Sequence, residues 1–325
     1  MVLAENTLLS VEDLSTFFFG ESPPAGAVRN VSFRIERGEV FGLVGESGCG
    51  KTMTALSIMR LVPVPGRITG GRILFEGKNL VELSQQEMQK VRGGRMGMVF
   101  QEPLTSLNPV LRIGDQIAET LMVHRAVSKG EAKEASIDLL RRVGFDDPAK
   151  RYLQYPHQLS GGQRQRVLMA IAISCRPSLV IADEPTTALD VTVEHQILLL
   201  LQSLIRRSGT TLLFITHNLH IIRTIADRVG VMYTGRLVEQ SPVEDFFKSP
   251  LHPYSRGLLD SVPEFTSGLK RLKAIPGSVP RPSELPKGCS FNPRCPYVMD
   301  RCLADEPLMT DLGDNRWVRC FLYQG

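Results

Sequence analysis

Short apolar segments separated by turn residues dominate the first hundred residues. The segment LLSVEDLSTFFF alternates in part between apolar and polar positions, VRNVSFRIERGE follows a turn rich in Pro and Gly, and VFGLVG is a compact apolar run. Partial alternation and short apolar runs between turns predict β-strands. The pattern also predicts a buried helix in KTMTALSIMRLV and two further strands in GGRILFEG and GRMGMVFQ.

The pattern becomes helical from about residue 103 to residue 161. Ile113, Ile117 and Leu121 recur every four residues, and SKGEAKEASIDLLRRVG combines a helical stripe with a terminal Gly. The segments SLVIAD and TLLFIT that follow are short and nearly all apolar, as strands buried on both faces of a parallel sheet are. Helical segments separate them, so the pattern predicts an α/β core with a helical insert.

Proline-rich loops follow from about Ser249 to the end of the sequence. The stretches SPLHPY, AIPGSVPRPSELPKG and FNPRCP are typical of irregular structure. We therefore expect a C-terminal appendage to the core. The sequence contains no internal repeat and no low-complexity tract.

Composition and charge exclude several classes of protein. A length of 325 residues is typical of about two domains. With 42% hydrophobic and 22% charged residues, the chain is neither disordered nor fibrous in composition. The net charge of +4 is small and spread over the chain, which argues against a nucleic-acid partner.

Nothing in the sequence resembles a membrane span or a secretory signal. No run of 18 apolar residues occurs, and MVLAENTLLSVEDLS lacks a basic segment followed by an apolar core. We therefore expect the protein in the cytosol, where thiols stay reduced and disulfides are disfavoured.

A phosphate-binding loop is predicted between the strand VFGLV and the helix KTMTALSIM. The pattern G-x-x-x-x-G-K-[ST] is matched by eight consecutive residues: Gly45, Glu46, Ser47, Gly48, Cys49, Gly50, Lys51 and Thr52. Glycines let backbone N–H groups turn inward around phosphate oxygens, and the start of the following helix adds positive dipole. Lys51 supplies a charge to the β/γ-phosphates and Thr52 a hydroxyl to Mg²⁺. The alternative is a Gly-rich turn that binds nothing, which the strand–loop–helix context disfavours.

Cys49 occupies a variable position of this loop. The simplest interpretation is a small residue that fills the position. A further hypothesis is that the helix dipole lowers the pKa of its thiol, so that maleimide modifies Cys49 and ATP protects it.

Two carboxylates end the apolar segment SLVIADE. Asp183 lies at the predicted strand end, where it can hold Mg²⁺ through water, and Glu184 can orient and deprotonate an attacking water. Taken alone, the pair is more typical of a cap at a helix start. The phosphate loop about 130 residues earlier favours the catalytic interpretation.

The segment LSGGQ decides the family. It consists of Leu159, Ser160, Gly161, Gly162 and Gln163. Ser160 and the following amides open the predicted helix QRQRVLMAIAI, which makes a second anion-binding helix terminus. Together with the phosphate loop and the carboxylate strand, LSGGQ resembles the ATP-binding cassette (ABC) family of ATPases. In that family this terminus holds the γ-phosphate bound to the other subunit, so two cassettes enclose two nucleotides.

The resemblance implies roles for further residues. Gln101 matches the glutamine that touches Mg²⁺ or water and links to the helical subdomain, so Thr52, Gln101 and Asp183 are the implied Mg²⁺ contacts. Asp190, in Ala188-Leu189-Asp190, matches the loop that passes between subunits. His217, after TLLFIT, matches the histidine that contacts the γ-phosphate, although a lone histidine after a strand is otherwise structural. Phe18 matches the aromatic that stacks on adenine, with Phe17 and Phe19 as neighbouring alternatives.

The likeness extends to a subfamily and to nearly the whole chain. QEPLTSLNP, YPHQLSGGQRQRV, DEPTTALDVTV and LHPYSRGLL resemble the dipeptide and oligopeptide ATPase subunits of the peptide/nickel import subfamily. The implied fold is an α/β P-loop (RecA-like) core with a helical subdomain and a small Cys-rich C-terminal extension. The implied boundaries are 1–102 and 164–248 for the core, 103–163 for the subdomain with LSGGQ, and 249–325 for the extension.

The resemblance also implies cofactors, partners and location. We expect an ATPase that uses ATP and Mg²⁺ to energise peptide import. It would act at the cytoplasmic face of the inner membrane as a peripheral protein. The implied partners are a second ABC ATPase subunit, which is a paralogue or a second copy, two transmembrane permease subunits and an extracytoplasmic substrate-binding protein.

Four cysteines concentrate near the C-terminus. Cys289, Cys295, Cys302 and Cys320 are separated by 5, 6 and 17 residues. Four thiolates suit Zn²⁺ or an iron–sulfur cluster, and these spacings are wider than the usual zinc pairs. The resembling ATPases can carry a [4Fe–4S] cluster here, so a structural cluster is the expectation. Zinc, or cysteines that are unligated or disulfide-linked, are the alternatives, and Cys175 is expected to be buried and inert.

Two other functions remain as alternatives. A nickel or other non-peptide importer uses the same cassette, and the cysteine tail argues against it only weakly. A non-transport ABC ATPase of DNA repair would carry a long coiled coil, whereas only 109 positions separate Lys51 from Ser160. Translation-type members usually carry two cassettes in one chain, and this chain has one.

Overall fold

The computed structural model describes residues 6–20, 22–187, 189–262 and 274–324. Its β-strands are β1 (Thr7–Phe18), β2 (Ala25–Glu36), β3 (Val40–Val44), β4 (Gly66–Phe75), β5 (Lys78–Asn79), β6 (Met96–Val99), β7 (Leu179–Asp183), β8 (Thr211–Ile215), β9 (Arg228–Tyr233), β10 (Arg236–Pro242), β11 (Thr310–Asp311) and β12 (Trp317–Val318).

The α-helices are α1 (Lys51–Ile58), α2 (Gln85–Val91), α3 (Pro103–Ser106), α4 (Ile113–Arg125), α5 (Lys129–Arg142), α6 (Pro148–Tyr152), α7 (Gly161–Ile173), α8 (Val191–Ser208), α9 (Leu219–Ile225), α10 (Val243–Lys248), α11 (Pro253–Asp260) and α12 (Asp300–Ala304). None of these helices is long and apolar enough to cross a membrane, as far as the described ranges go. The fold is the mixed α/β fold that the sequence predicts.

The chain forms two compact units. Of the described residues, one consists of 6–8, 36–39, 82–187 and 189–214, and the other of 9–20, 22–35, 40–81, 215–262 and 274–324. These units do not coincide with the boundaries predicted for core, helical subdomain and extension, which stay a prediction.

In the first unit, buried parallel strands lie beside a group of helices. β6 and β7 pair in parallel, with Met96 opposite Leu179 and Val99 opposite Ala182, and β8 lies on the other side of β7. Every residue of β7 and β8 is buried, as predicted for strands covered on both faces. In α4, the residues of the predicted stripe, Ile113, Ile117 and Leu121, are also buried.

The second unit contains two groups of paired strands. One has the order β2-β1-β4-β5, in which β4 pairs antiparallel with β1 and with β5. In the other, β3 pairs in parallel with β9, and the order continues to β10, β12 and β11 through antiparallel pairs. The segment predicted as the C-terminal extension therefore adds two short strands to the sheet edge, where Trp317 pairs with Gln240 and Val318 with Glu239.

The β9–β10 hairpin was not among the predicted elements. Thr234 and Gly235 connect its strands with positive φ angles of 44° and 80°. Positive φ at both central positions is the requirement of the tight turn whose twist suits a two-residue hairpin. The Thr-Gly pair between apolar runs was the available signal. The extension also contains α11 and α12, where mainly loops were expected.

Candidate functional site

The predicted phosphate loop lies between β3 and α1, as expected. Gly45 has a φ of 150°, and a Cβ there would lie 2.3 Å from the Met232 carbonyl oxygen. Gly50 has a φ of 105°, and a Cβ there would lie 2.4 Å from the Ala27 carbonyl oxygen. Because real Cβ atoms do not approach so closely, only glycine lets the loop pass the neighbouring backbone.

Lys51 is nearly buried and ties the loop together. It is 4% exposed, and its Nζ donates hydrogen bonds to the carbonyl oxygens of Gly45 at 2.8 Å and Glu46 at 3.1 Å. The ammonium group thus lies inside the curve of the loop, at the place where a bound phosphate needs a positive charge. Thr52 follows it in α1 and is half-buried.

The hypothesis of an activated Cys49 is wrong. The side chain is fully buried, and this burial raises the pKa of its thiol although Lys51 Nζ lies 3.8 Å from Sγ. Desolvation of the thiolate outweighs the nearby positive charge. Cys49 fills space under the loop. Cys175 is buried too, at 2% exposure, as expected.

A second group of predicted residues meets at the end of β7. Asp183 is the last residue of the strand and is 2% exposed. The Glu184 carboxylate accepts hydrogen bonds from Gln101 Nε2 at 3.3 Å and from Thr187 Oγ1 at 3.0 Å. The structure therefore brings Gln101 and Glu184 together, and Thr187 is a partner that the sequence did not indicate.

Glu184 also has an unusual backbone. Its φ of 44° lies in the left-handed region, which residues with a Cβ rarely adopt. Such strain costs about 1 kcal/mol or more and concentrates at functional sites. It fixes the direction in which the carboxylate leaves the strand.

The LSGGQ segment opens α7, as predicted. Ser160 Oγ accepts a hydrogen bond from Gln163 N, and the Gln163 side chain accepts one from Ser160 N, which makes a capping box. Ser160, Gly162 and Gln163 line a cavity of about 220 Å³ together with Arg151 and Arg166. The start of α7 contributes a positive dipole to this cavity, and Asp146 lines it beside the two arginines, so the lining carries charges of both signs.

The other predicted contacts lie in separate elements. Asp190 caps the start of α8 by accepting a hydrogen bond from Val193 N at 2.9 Å, and Ala188 lies outside the described residues. His217 follows β8 and is exposed. Phe18 is the last residue of β1 and is half-buried, whereas the Phe19 ring lies under the Arg67 guanidinium. The roles of these residues in binding stay predictions.

The four C-terminal cysteines line one small cavity. Burial, together with the neighbouring cysteines, raises the pKa of the Cys289 thiol to about 12, although a bond from Phe291 N opposes the shift. Among the described residues, no group of three or more His, Cys, Asp or Glu is arranged to hold a metal ion. The thiols converge, but their arrangement gives no support to a [4Fe–4S] or zinc site.

Sequence reasoning missed two residues that contact the phosphate loop. Tyr254 Oη accepts a hydrogen bond from Glu46 N at 2.9 Å. Both terminal nitrogens of Arg294 donate to the Glu46 carboxylate, at 2.8 and 3.1 Å. These residues follow Glu46 by 208 and 248 positions, so no local pattern could have indicated them.

Two families match separate parts of the chain. The family described as ABC transporter matches residues 28–187. The family described as Oligopeptide/dipeptide transporter, C-terminal region, matches residues 238–302, which include Tyr254 and Arg294.

Curated relatives match over almost the full length. The chain is 50% identical over 320 residues to the oligopeptide transport ATP-binding protein AppD of Bacillus subtilis (strain 168), covering 98% of both chains. It is 46% identical over 313 residues to the dipeptide transport ATP-binding protein DppD of Escherichia coli (strain K12), covering 96% of both.

A solved structure has the same cassette fold. It is a dimeric structure of a post-hydrolysis state of an ATP-binding cassette bound to ADP and Pi. The match has a TM-score of 0.65 at 26% identity and covers 72% of this chain and 98% of that one.

Proposed function

The chain belongs to the ABC transporter family, in its oligopeptide/dipeptide branch, and we propose that it hydrolyses ATP to drive the import of peptides. The observation that carries this proposal is the 50% identity to an oligopeptide transport ATP-binding protein over 98% of both chains. The C-terminal match supports the same branch, because it lies outside the part that the general ABC transporter family matches.

Nucleotide binding is assigned to the loop of residues 45–52. The curled backbone around Lys51 offers N–H groups and a buried ammonium to the phosphates. Mg²⁺, when bound, neutralises charge on the β- and γ-phosphates. Thr52, Gln101 and Asp183 are the proposed contacts to this ion, because hydroxyl, amide and carboxylate oxygens would suit it, and Phe18 is the proposed contact to adenine.

Hydrolysis is assigned to Glu184. Its carboxylate is directed by the strained backbone and by bonds from Gln101 and Thr187, so it is held ready to orient and deprotonate a water. His217 is the proposed contact to the γ-phosphate. Phosphoryl transfer depends on positioning and on charge stabilisation. The main contribution of the protein is therefore to hold hydrogen-bond donors in place around the transferred phosphate.

The start of α7 is proposed to act on a nucleotide held by a second cassette. Its helix terminus favours an anion, Arg151, Arg166 and Asp146 line the adjoining cavity, and Asp190 lies at the start of the next helix. The solved cassette bound to ADP and Pi is dimeric, which supports the pairing of two cassettes. The second cassette is proposed to be a paralogue, with a second copy of this chain as the alternative.

The remaining partners follow from the proposed transport role. We propose that the chain docks on two permease subunits at the cytoplasmic face of the inner membrane, as a peripheral protein. An extracytoplasmic binding protein would deliver the peptide. A nickel importer stays the alternative, because the substrate is chosen by these other subunits.

Glu184→Gln tests the catalytic assignment. The amide cannot take a proton, so we expect ATP binding to be retained and turnover to fall by about a hundredfold or more. The measurement is phosphate release beside nucleotide titration. The matched control is Glu194→Gln. Glu194 lies in α8, and its carboxylate accepts a hydrogen bond from Thr186 Oγ1 at 2.8 Å. Unchanged turnover in Glu184→Gln would remove this residue as the base.

Transport itself is tested in proteoliposomes that contain the chain with its permeases and binding protein. We expect labelled dipeptide to accumulate only with ATP, and Glu184→Gln to abolish both uptake and hydrolysis. If Ni²⁺ instead of peptide stimulated ATP hydrolysis in these proteoliposomes, the nickel importer would be favoured.

The predicted iron–sulfur cluster plays no part in this mechanism. Iron, sulfide and zinc analysis of protein purified without oxygen tests it separately. About four iron atoms per chain would indicate the cluster and one zinc the alternative. A metal-free active protein would leave the cysteines as packed thiols.

A further inference from the structure

Arg294 comes from the cysteine-bearing segment and reaches the phosphate loop. It ends a short turn, Asn292–Arg294, directly before Cys295, and its side chain is only 4% exposed. Its two terminal nitrogens bond both oxygens of the Glu46 carboxylate, and its Nε donates to the Pro276 carbonyl at 2.9 Å. This bidentate geometry holds a carboxylate in direction as well as in charge.

Glu46 is thereby held from three sides. Arg294 holds its carboxylate, the Tyr254 hydroxyl accepts from its N–H, and Lys51 donates to its carbonyl oxygen. Two of these three contacts come from the C-terminal part of the chain. The second residue of the loop therefore has its side chain and both backbone polar groups fixed.

Packed rings support these two contacts. The Tyr233 and Tyr254 rings lie 4.7 Å apart, and Phe291 packs edge-on against Tyr233 at 5.2 Å. The Arg294 guanidinium lies 5.8 Å from the centre of the Tyr233 ring. The turn that carries Arg294 is thus packed against the end of β9 and the start of α11.

A carboxylate in an anion-binding loop needs this arrangement. An unpaired negative charge at Glu46 would repel a triphosphate bound to the neighbouring amides, and the partly buried site would screen that repulsion poorly. The paired guanidinium cancels the charge and turns the carboxylate toward the extension.

We propose that Arg294 is a positioning residue for the phosphate loop, through which the C-terminal extension sets the affinity of the chain for nucleotide. The inference rests on the assignment of residues 45–52 as the phosphate loop. It adds a function to the extension beyond closing the sheet edge. The residue acts on the nucleotide through Glu46.

The first test measures nucleotide affinity in Arg294→Ala. The exposed charge on Glu46 should weaken ATP binding by about tenfold, and ADP binding by less because ADP carries less negative charge. Arg294→Lys keeps the charge without the two-pronged geometry and should recover part of the loss. It also serves if Arg294→Ala does not fold, which thermal unfolding checks.

A second substitution distinguishes the loss of the Arg294–Glu46 contact from a nonspecific loss of structure. In the pair Arg294→Ala with Glu46→Gln, no carboxylate remains to be neutralised, so ATP affinity should return to within about threefold of the wild type. If the double variant binds ATP as weakly as Arg294→Ala, or if Arg294→Ala binds like the wild type, the proposal is wrong.

Two controls complete the experiment. Arg319→Ala removes another half-buried arginine of the extension, which donates to Leu237 and Pro307 carbonyls, and should leave ATP affinity unchanged. Lys51→Ala tests the loop assignment itself. If it binds ATP normally, the proposed nucleotide site fails. If Lys51→Ala weakens ATP binding but the Arg294 variants do not, the nucleotide site is supported and the proposed role of the extension is wrong.

Discussion

Two helices of this chain begin with glycine-rich segments, but they are prepared for ligands in different ways. At the start of α1, Gly50 has a left-handed backbone and no side chain to cap the helix, and Lys51 lies buried beside it. At the start of α7, the Ser160 and Gln163 side chains already satisfy each other's backbone N–H groups, and Ser160 is exposed.

The difference shows what each site needs. The first helix start is enclosed by its own chain, so its amides can surround a phosphate without a partner. The second is capped by its own side chains and lines an open cavity together with Arg151, Arg166 and Asp146. The same residue types therefore enclose a buried ammonium group in one place and form a capped, exposed helix start in the other.

Substituting alanine for one glycine at each helix start should give the largest difference between the two, measured as unfolding free energy. Gly50→Ala places a Cβ 2.4 Å from the Ala27 oxygen at a φ of 105°, so we expect a loss of about 3 kcal/mol or more in unfolding free energy. At Gly161 a Cβ would lie 3.5 Å from Leu189 Cδ2, an ordinary contact, and the change should stay within about 0.5 kcal/mol. Denaturant unfolding compares the two, and equal losses would contradict the contrast.

Removing the serine cap tests the start of α7 directly. Ser160→Ala and Ser128→Ala each break a capping box, at α7 and α5, so each should cost about 1 kcal/mol of stability. Only Ser160→Ala should also lower ATP hydrolysis, while nucleotide binding by the isolated chain is retained. Phosphate release and unfolding are measured on both. An equal fall in hydrolysis would make the effect of Ser160 purely structural.

The smallest effect concerns thiol reactivity beneath the loop. Burial places the pKa of Cys49 above its ordinary value, so the protonated thiol favours the folded state at neutral pH, and that contribution is lost as pH rises through the alkaline range. We expect maleimide to leave Cys49 unmodified at neutral pH with or without ATP. An introduced Ser47→Cys, at an exposed position of the same loop, should be labelled and protected by ATP. Peptide mapping by mass spectrometry reads both, and rapid labelling of Cys49 would contradict its burial.

Local patterns carried much of the fold and of the site. β7 and β8 were predictable because burial on both faces leaves an uninterrupted apolar run, and the loop after β3 was predictable because its chemistry requires a fixed spacing. The local signal for the β9–β10 hairpin is the pair Thr234-Gly235, which lies between two apolar runs.

The remaining features depend on tertiary contacts. The pKa of Cys49 follows from packing under the loop, where burial raises it, against the direction expected from the helix dipole. The contact between Arg294 and Glu46 joins positions 248 residues apart, and nothing near either residue predicts the other. Position within a motif indicates what a residue can do, whereas its surroundings decide whether it does so.

The pairing of β12 with β10 also gives the protein an optical label of its own. The sequence contains a single tryptophan, Trp317, which pairs with Gln240 and lies 6.0 Å from the Arg228 guanidinium. Tryptophan emission from the unmodified chain therefore originates at the edge where the extension joins the sheet. Detachment of that edge should shift the emission to longer wavelength, whereas events confined to the phosphate loop should leave its colour unchanged.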